Sequence, residues 1–64
     1  MSEVAGVPVL LDLDDLCAIL GVSRWTIHKW RQLGEGPRAV KVGRLLRWTP
    51  AEVRRWIAER TELP

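Results

Sequence analysis

The 64-residue sequence predicts a small, mainly α fold with one β-hairpin. Three observations carry that prediction. Three helical stretches each open on a capping residue: Asp12, Ser23 and Thr49. Only Gly21–Val22–Ser23 separates the first stretch from the second. Between the second and the third, apolar runs flank the dipeptide Gly43–Arg44, the length of a tight hairpin connection. Helix, turn, helix, β-hairpin and helix, in that order, make a winged helix-turn-helix: a helix-turn-helix, a two-stranded wing and a C-terminal helix.

Residues 1–11 read as an extended lead-in to a single domain spanning 1–64. Pro8 has no amide donor and disfavours helix at Val7. Asp12 then caps the first helix, and Asp14 and Asp15 suit the positive end of its dipole. Leu13, Leu16, Cys17 and Leu20 recur at i, i+3, i+4 and i+7, which makes one apolar stripe. Gly21 is a natural stop. Val22 is expected to pack between the two helices.

Ser23 caps a second helix running to about Leu33, and Gly34 ends it. At about 100° per residue, Ile27 and Trp30 share one face and are the core candidates. The opposite face carries Trp25, His28, Lys29 and Gln32. Arg24 and Arg31 flank it on one side, Thr26 and Leu33 on the other. Residues 34–37 form a loop. Val40 and Val42 alternate with Lys41 as in a strand, and Gly43 as the first of two connecting residues suits a type II′ turn. Leu45 and Leu46 are consecutive, so alternation does not set the register of the second strand. Thr49 caps the last helix with Pro50 at its first position and Glu52 completing a capping box. Val53, Trp56 and Ile57 share a face of this helix, which is expected to end near Thr61.

A chain this short buries only about 60% of the surface it exposes when unfolded, so its stability is marginal. The single cysteine, Cys17, rules out an intrachain disulfide, and no Cys/His cluster has metal-ligand spacing. A reducing cytoplasm is the expected compartment. The longest apolar run, residues 4–11, is too short to span a membrane and lacks the basic flank of a secretory signal. The start Met-Ser-Glu-Val lacks the glycine needed for myristoylation. Paired catalytic carboxylates, a nucleophile with its base and a phosphate-binding loop are all missing, so neither an enzyme nor a bound cofactor is expected. His28 is the only histidine and has no catalytic or metal partner by spacing.

The formal net charge of +2 is unevenly distributed. Residues 1–22 carry Glu3, Asp12, Asp14 and Asp15 and no Lys or Arg, a net −4. Residues 23–47 carry Arg24, Lys29, Arg31, Arg38, Lys41, Arg44 and Arg47 against Glu35 alone, a net +6. Residues 48–64 balance. A basic middle third is the footprint of a polyanion partner, or else a solvated face.

Placed on the helix, these residues favour DNA. Arg and Lys can donate to guanine O6 and N7, and Gln can bridge adenine N6 and N7, from a helix lying in the major groove. The candidate recognition-helix set is Ser23, Arg24, Trp25, Thr26, His28, Lys29, Arg31 and Gln32. The candidate wing set is Arg38, Lys41, Arg44 and Arg47. Arg44, at the hairpin tip, can enter a neighbouring minor groove or bind its phosphates. Arg38 and Lys41 are phosphate contacts that add affinity without sequence choice. Arg47 either joins them or lies across Trp48 as a cation–π pair. Trp25 has two open readings: contact with a sugar or thymine methyl, or a lid on a small core. Arg54 and Arg55, balanced by acids, read as a solvated face.

Read together, Leu20-Gly21-Val22-Ser23 followed by Thr26 and Trp30, then Val42-Gly43-Arg44, then Trp56, resemble the MerR-related winged-helix DNA-binding module. The chain is most similar to that module's short stand-alone members, the phage excisionases (recombination directionality factors) and the AlpA-type regulators. The resemblance spans about residues 10–58. It implies that Ser23, Arg24, Thr26, His28 and Lys29 lie at or beside the positions that meet DNA, and that Arg44 is the wing tip. It also implies a role. Excisionases bind adjacent sites near a phage attachment site, bend the DNA, and turn a tyrosine integrase from integration toward excision. The expected partners are therefore double-stranded DNA, a tyrosine integrase and neighbouring copies of the same chain, in a bacterial host cytoplasm and with no membrane. The sequence departs from the MerR regulators in having no long dimerisation helix or effector domain after the wing. Side-by-side binding of monomers is expected in place of a coiled-coil dimer. The acidic first helix would then meet the basic face of the next copy. A small transcriptional regulator of the same fold remains an alternative, as does a protein-interaction module such as an antitoxin or phage inhibitor, with Trp25 as its anchor.

Overall fold

The computed structural model describes residues 3–4 and 7–62. The elements are β1 (Glu3–Val4), β2 (Val7–Pro8), α1 (Leu13–Leu20), α2 (Arg24–Leu33), β3 (Val40–Val42), β4 (Leu45–Arg47) and α3 (Pro50–Arg60). This is a winged helix-turn-helix: three helices and an antiparallel wing made of β3 and β4.

The helix boundaries follow the cap residues. The Asp12 carboxylate accepts from the Asp15 backbone N–H at 2.8 Å, and the Asp15 carboxylate accepts from the Asp12 N–H at 3.1 Å. This reciprocal box was not expected with an aspartate at its far end, yet its reach suffices. Chiefly because of the Asp15 N–H, the Asp12 carboxyl titrates below its usual range. The Ser23 hydroxyl accepts from the Thr26 N–H at 3.1 Å and opens α2. Gly21 and Gly34 close the two helices in the left-handed conformation, at φ 69° and 74°.

The lead-in departs from expectation. Where it is described, it folds back on itself, with Glu3 paired to Pro8 and Val4 to Val7. Met1, Ser2, Ala5 and Gly6 of that stretch lie outside the described residues. Farther along, Leu11 and Trp48 exchange both backbone hydrogen bonds, at 2.7 and 2.9 Å. The lead-in thereby borders the far end of the wing.

The core joins one residue from each helix to the residue after the wing: Leu16, Ile27, Val53 and Trp48. Val22 packs on this core from the turn, and Leu13, Cys17 and Leu20 pack on it from α1. The tryptophans correct one expectation and refine another. Trp48, at 2% exposure, is the tryptophan of the core, and its indole N–H donates to the Pro37 carbonyl at 3.2 Å. It is no platform for Arg47, whose guanidinium donates to the Leu46 carbonyl instead. Trp30 packs against the core as its spacing predicts, but is only half-buried. It leans on Trp56, ring centroids 5.2 Å apart at 41°, and Arg60 lies 4.1 Å over the Trp56 ring. Gly36 passes so close to Trp30 that a Cβ there would stand 3.2 Å from the indole. This satellite cluster fastens the C-terminus of α2 to α3.

The wing register is set by the core. Val40 pairs with Arg47, Lys41 with Leu46 and Val42 with Leu45. Directly paired residues share a sheet face. Leu46 packs on the core, so Leu45 takes the opposite face with Val42 and is exposed. The consecutive leucines thus serve opposite faces. Gly43 supplies the positive φ, 61°, that the first position of a primed turn demands.

The expected capping box of the last helix forms only in part. The Thr49 hydroxyl accepts from the Glu52 N–H at 3.1 Å. The Glu52 carboxylate, however, receives the Arg55 guanidinium at 2.8 Å and the Arg38 backbone N–H at 2.8 Å. With those donors at hand it does not return to the N-cap. They hold its pKa at about 2, the Arg55 side chain first and the Arg38 amide second. Arg55 also pairs with Glu59, so this arginine is committed to its own helix.

Candidate nucleic-acid interface

Between α2 and the wing lies an open cleft of about 470 Å³. Its floor is apolar, made by Leu13, Ile27, Leu46 and Trp48, and the more exposed Leu45 also lines it. Its rim is cationic or can become so: Arg24, His28 and Arg31 from α2, Arg44 and Arg47 from the wing. On α2, Arg24, Ile27, His28 and Arg31 follow i, i+3, i+4, i+7, so one helical stripe forms the whole wall. The wing brings its two arginines to that wall from 13 (Arg31 to Arg44) to 23 (Arg24 to Arg47) positions away in sequence, a placement no local pattern encodes.

The candidate residues therefore divide. Arg24, His28, Arg31, Arg44 and Arg47 are brought together. Trp25, Lys29 and Gln32 lie on the solvent face next to the cleft and outside its lining. Trp25, at 69% exposure, is no part of the core, which removes the lid reading. Gln32 stands one turn from His28, with their side-chain nitrogens 3.4 Å apart. Ser23 and Thr26 are occupied locally, their hydroxyls 3.1 Å apart at the N-cap. Arg38 and Lys41 do not line the cleft; the Arg38 backbone N–H donates to Glu52, and Lys41 pairs with Leu46 across the wing.

Arg24 reaches α1 as well. Its Nε and Nη2 donate to Asp14 Oδ1 at 3.0 and 2.6 Å, and this raises the guanidinium's pKa. Both partners are exposed, so the pair adds little to stability. Its consequence is positional: the guanidinium is parked at the edge of the cleft beside a carboxylate that a bound polyanion would have to displace.

The floor was missed in the sequence. Leu45 and Leu46 are its clearest trace, because two adjacent leucines in a short hairpin cannot both face the core.

Comparison with known families bears on this site directly. A helix-turn-helix domain family model matches residues 10–61. The chain belongs to the helix-turn-helix domain family. No curated protein and no solved structure matches it. Membership of this helix-turn-helix family makes the chain a small DNA-binding protein, and the family includes excisionase-like and AlpA-type proteins. Among the described residues no helix is long and apolar enough to cross a membrane.

Proposed function

We propose that this helix-turn-helix protein is a MerR-like excisionase, a phage recombination directionality factor working in a bacterial cytoplasm. It sets α2 in the major groove and the wing tip over the adjacent minor groove. Copies bind neighbouring sites side by side, bend the DNA and direct a tyrosine integrase toward excision. The observation that carries the DNA-binding geometry is the cleft with five basic side chains on two elements, Arg24, His28, Arg31, Arg44 and Arg47. Their convergence on one cleft from two elements suits a phosphodiester strand lying between two grooves. Trp25, Lys29 and Gln32, on the neighbouring face, are the base-edge and thymine-methyl contacts of this arrangement. Support for copies binding side by side is the separation of charge along the chain, net −4 before residue 23 and net +6 over residues 23–47.

The test has two stages. Gel-shift titrations over a salt series should show wild-type binding that weakens steeply with salt. Arg31→Ala and Arg44→Ala should each flatten the logarithmic salt slope by about 0.9, the value of one lost phosphate contact. Arg55→Ala, on α3 and paired with Glu52 and Glu59, should leave the slope unchanged. Indifference of the wild type to DNA at low salt would rule the proposal out. The second stage is an excision assay with a tyrosine integrase and its attachment-site DNA. Stimulated excision supports the assigned role, and transcriptional repression without excision makes the protein an AlpA-type regulator.

A further inference from the structure

The outer face of the wing is apolar at the place where a solvated hairpin would be polar. Val42 and Leu45, the pair that closes the turn, are 45% and 55% exposed. Val40, on the same face, is exposed too. Among the described residues none covers this strip, because the core takes Leu46 from the opposite face. Arg44 at the tip and Arg47 at the base bracket it. Leu45 and both arginines also line the cleft, so the strip continues the basic surface that runs onto α2.

An apolar strip between two cations fits one occupant well: the wall of a DNA minor groove. That wall is deoxyribose, an apolar surface, bordered on each side by phosphates. With α2 in the major groove, the strand in the cleft brings its neighbouring minor groove to the tip. Leucine is among the side chains that press into minor grooves, partly unstack a base step and bend the duplex away.

We infer that Leu45, backed by Val42, is the wedge by which the wing bends DNA, while Arg44 and Arg47 hold the flanking phosphates. This rests on the DNA-binding reading above and adds to it a division of labour. The arginines supply salt-dependent affinity, and the leucine supplies bending and salt-independent affinity.

The experiment uses the full chain and a duplex selected by the wild type from a random pool. Affinity is read by titration over a salt series, and bending by energy transfer between dyes at the duplex ends. Leu45→Ala is expected to lose about tenfold in affinity, as for one half-exposed leucine that becomes buried on binding. It should also lose most of the bend and keep the wild-type salt slope. Arg44→Ala should show the reverse pattern, with a salt slope flatter by about 0.9 and a retained bend. Because Leu45 is exposed, its replacement should leave the melting temperature unchanged. Should Leu45→Ala melt lower than the wild type, Leu45→Gln, of similar length but polar, is read in its place with the same expectation. A Leu45 variant that binds and bends as the wild type does overturns the wedge while DNA binding stands. A wild type that selects no duplex overturns the DNA-binding reading and the wedge with it.

Discussion

In the helix-turn-helix half, Asp12 caps α1 through Asp15, and Ser23 caps α2 through Thr26, so both helices start on contacts three residues long. The wing has no support of that kind. Its strands are three residues each, and two such strands are not stable in water by themselves. They are held in place by Leu46 on the core, by the Leu11–Trp48 backbone pair and by the Trp48 indole on Pro37. The recognition helix is thus specified locally and the wing by tertiary contacts. Since the cleft needs both walls, its geometry is only as secure as Trp48.

The largest way to break this asymmetry is Trp48→Ala. Removing a buried tryptophan costs about 3–5 kcal/mol, which approaches the whole stability of a domain this small, about 5 kcal/mol. No cooperative thermal transition should remain by circular dichroism. A native-like melt would show that the wing is held by something other than this side chain.

Ser23→Ala probes the local half. Losing the N-cap should cost about 1 kcal/mol and lower the melting temperature by about 4–8 °C. Amide exchange should speed up in the first turn of α2 ahead of the wing. Equal loosening of both regions would mean that the two halves are not separately supported.

The smallest effect is set by pH. The Glu52 carboxyl titrates at about 2 in the folded chain, below its ordinary 4.5. A depressed carboxyl contributes stability that is fully present above pH 4.5 and lost as the pH falls through about 2. Denaturant midpoints should therefore drop between pH 5 and pH 2, and Glu52→Gln should drop less over that range. Since Glu52 ties α3 to the Arg38 amide ahead of the wing, the effect belongs to the tertiary half. Equal slopes for the two proteins would remove Glu52 from that connection.

The two halves were also unequally legible. The bounds of α1 and α2, the Gly43–Arg44 turn and the start of α3 at Pro50 all follow from residue chemistry acting over three or four positions. The stripe Leu13, Leu16, Cys17 and Leu20 met the core as its spacing demanded. Trp48 could not be read that way. A lone tryptophan after a strand has no periodicity, and its burial depends on Leu11 and Pro37, both far from it in sequence. Glu52 departs from its local pattern for the opposite reason: the charged Arg55 guanidinium is a stronger donor to its carboxylate than the N-cap backbone N–H, and the Arg38 amide, brought close by the fold, takes the second oxygen.

For the candidate site, the sequence by itself determined that α2 would expose a basic, hydrogen-bonding face with Ile27 turned inward, because helical spacing is a local property. Tertiary structure alone decided which flank of that helix faces the wing. It chose Arg24, His28 and Arg31 for the cleft and left Trp25, Lys29 and Gln32 beside it. It also decided which of two adjacent leucines is buried. Both choices depend on the docking of β4 against the core, where Leu46 and Trp48 leave the water, and that energy arises only once residues far apart in the chain have met.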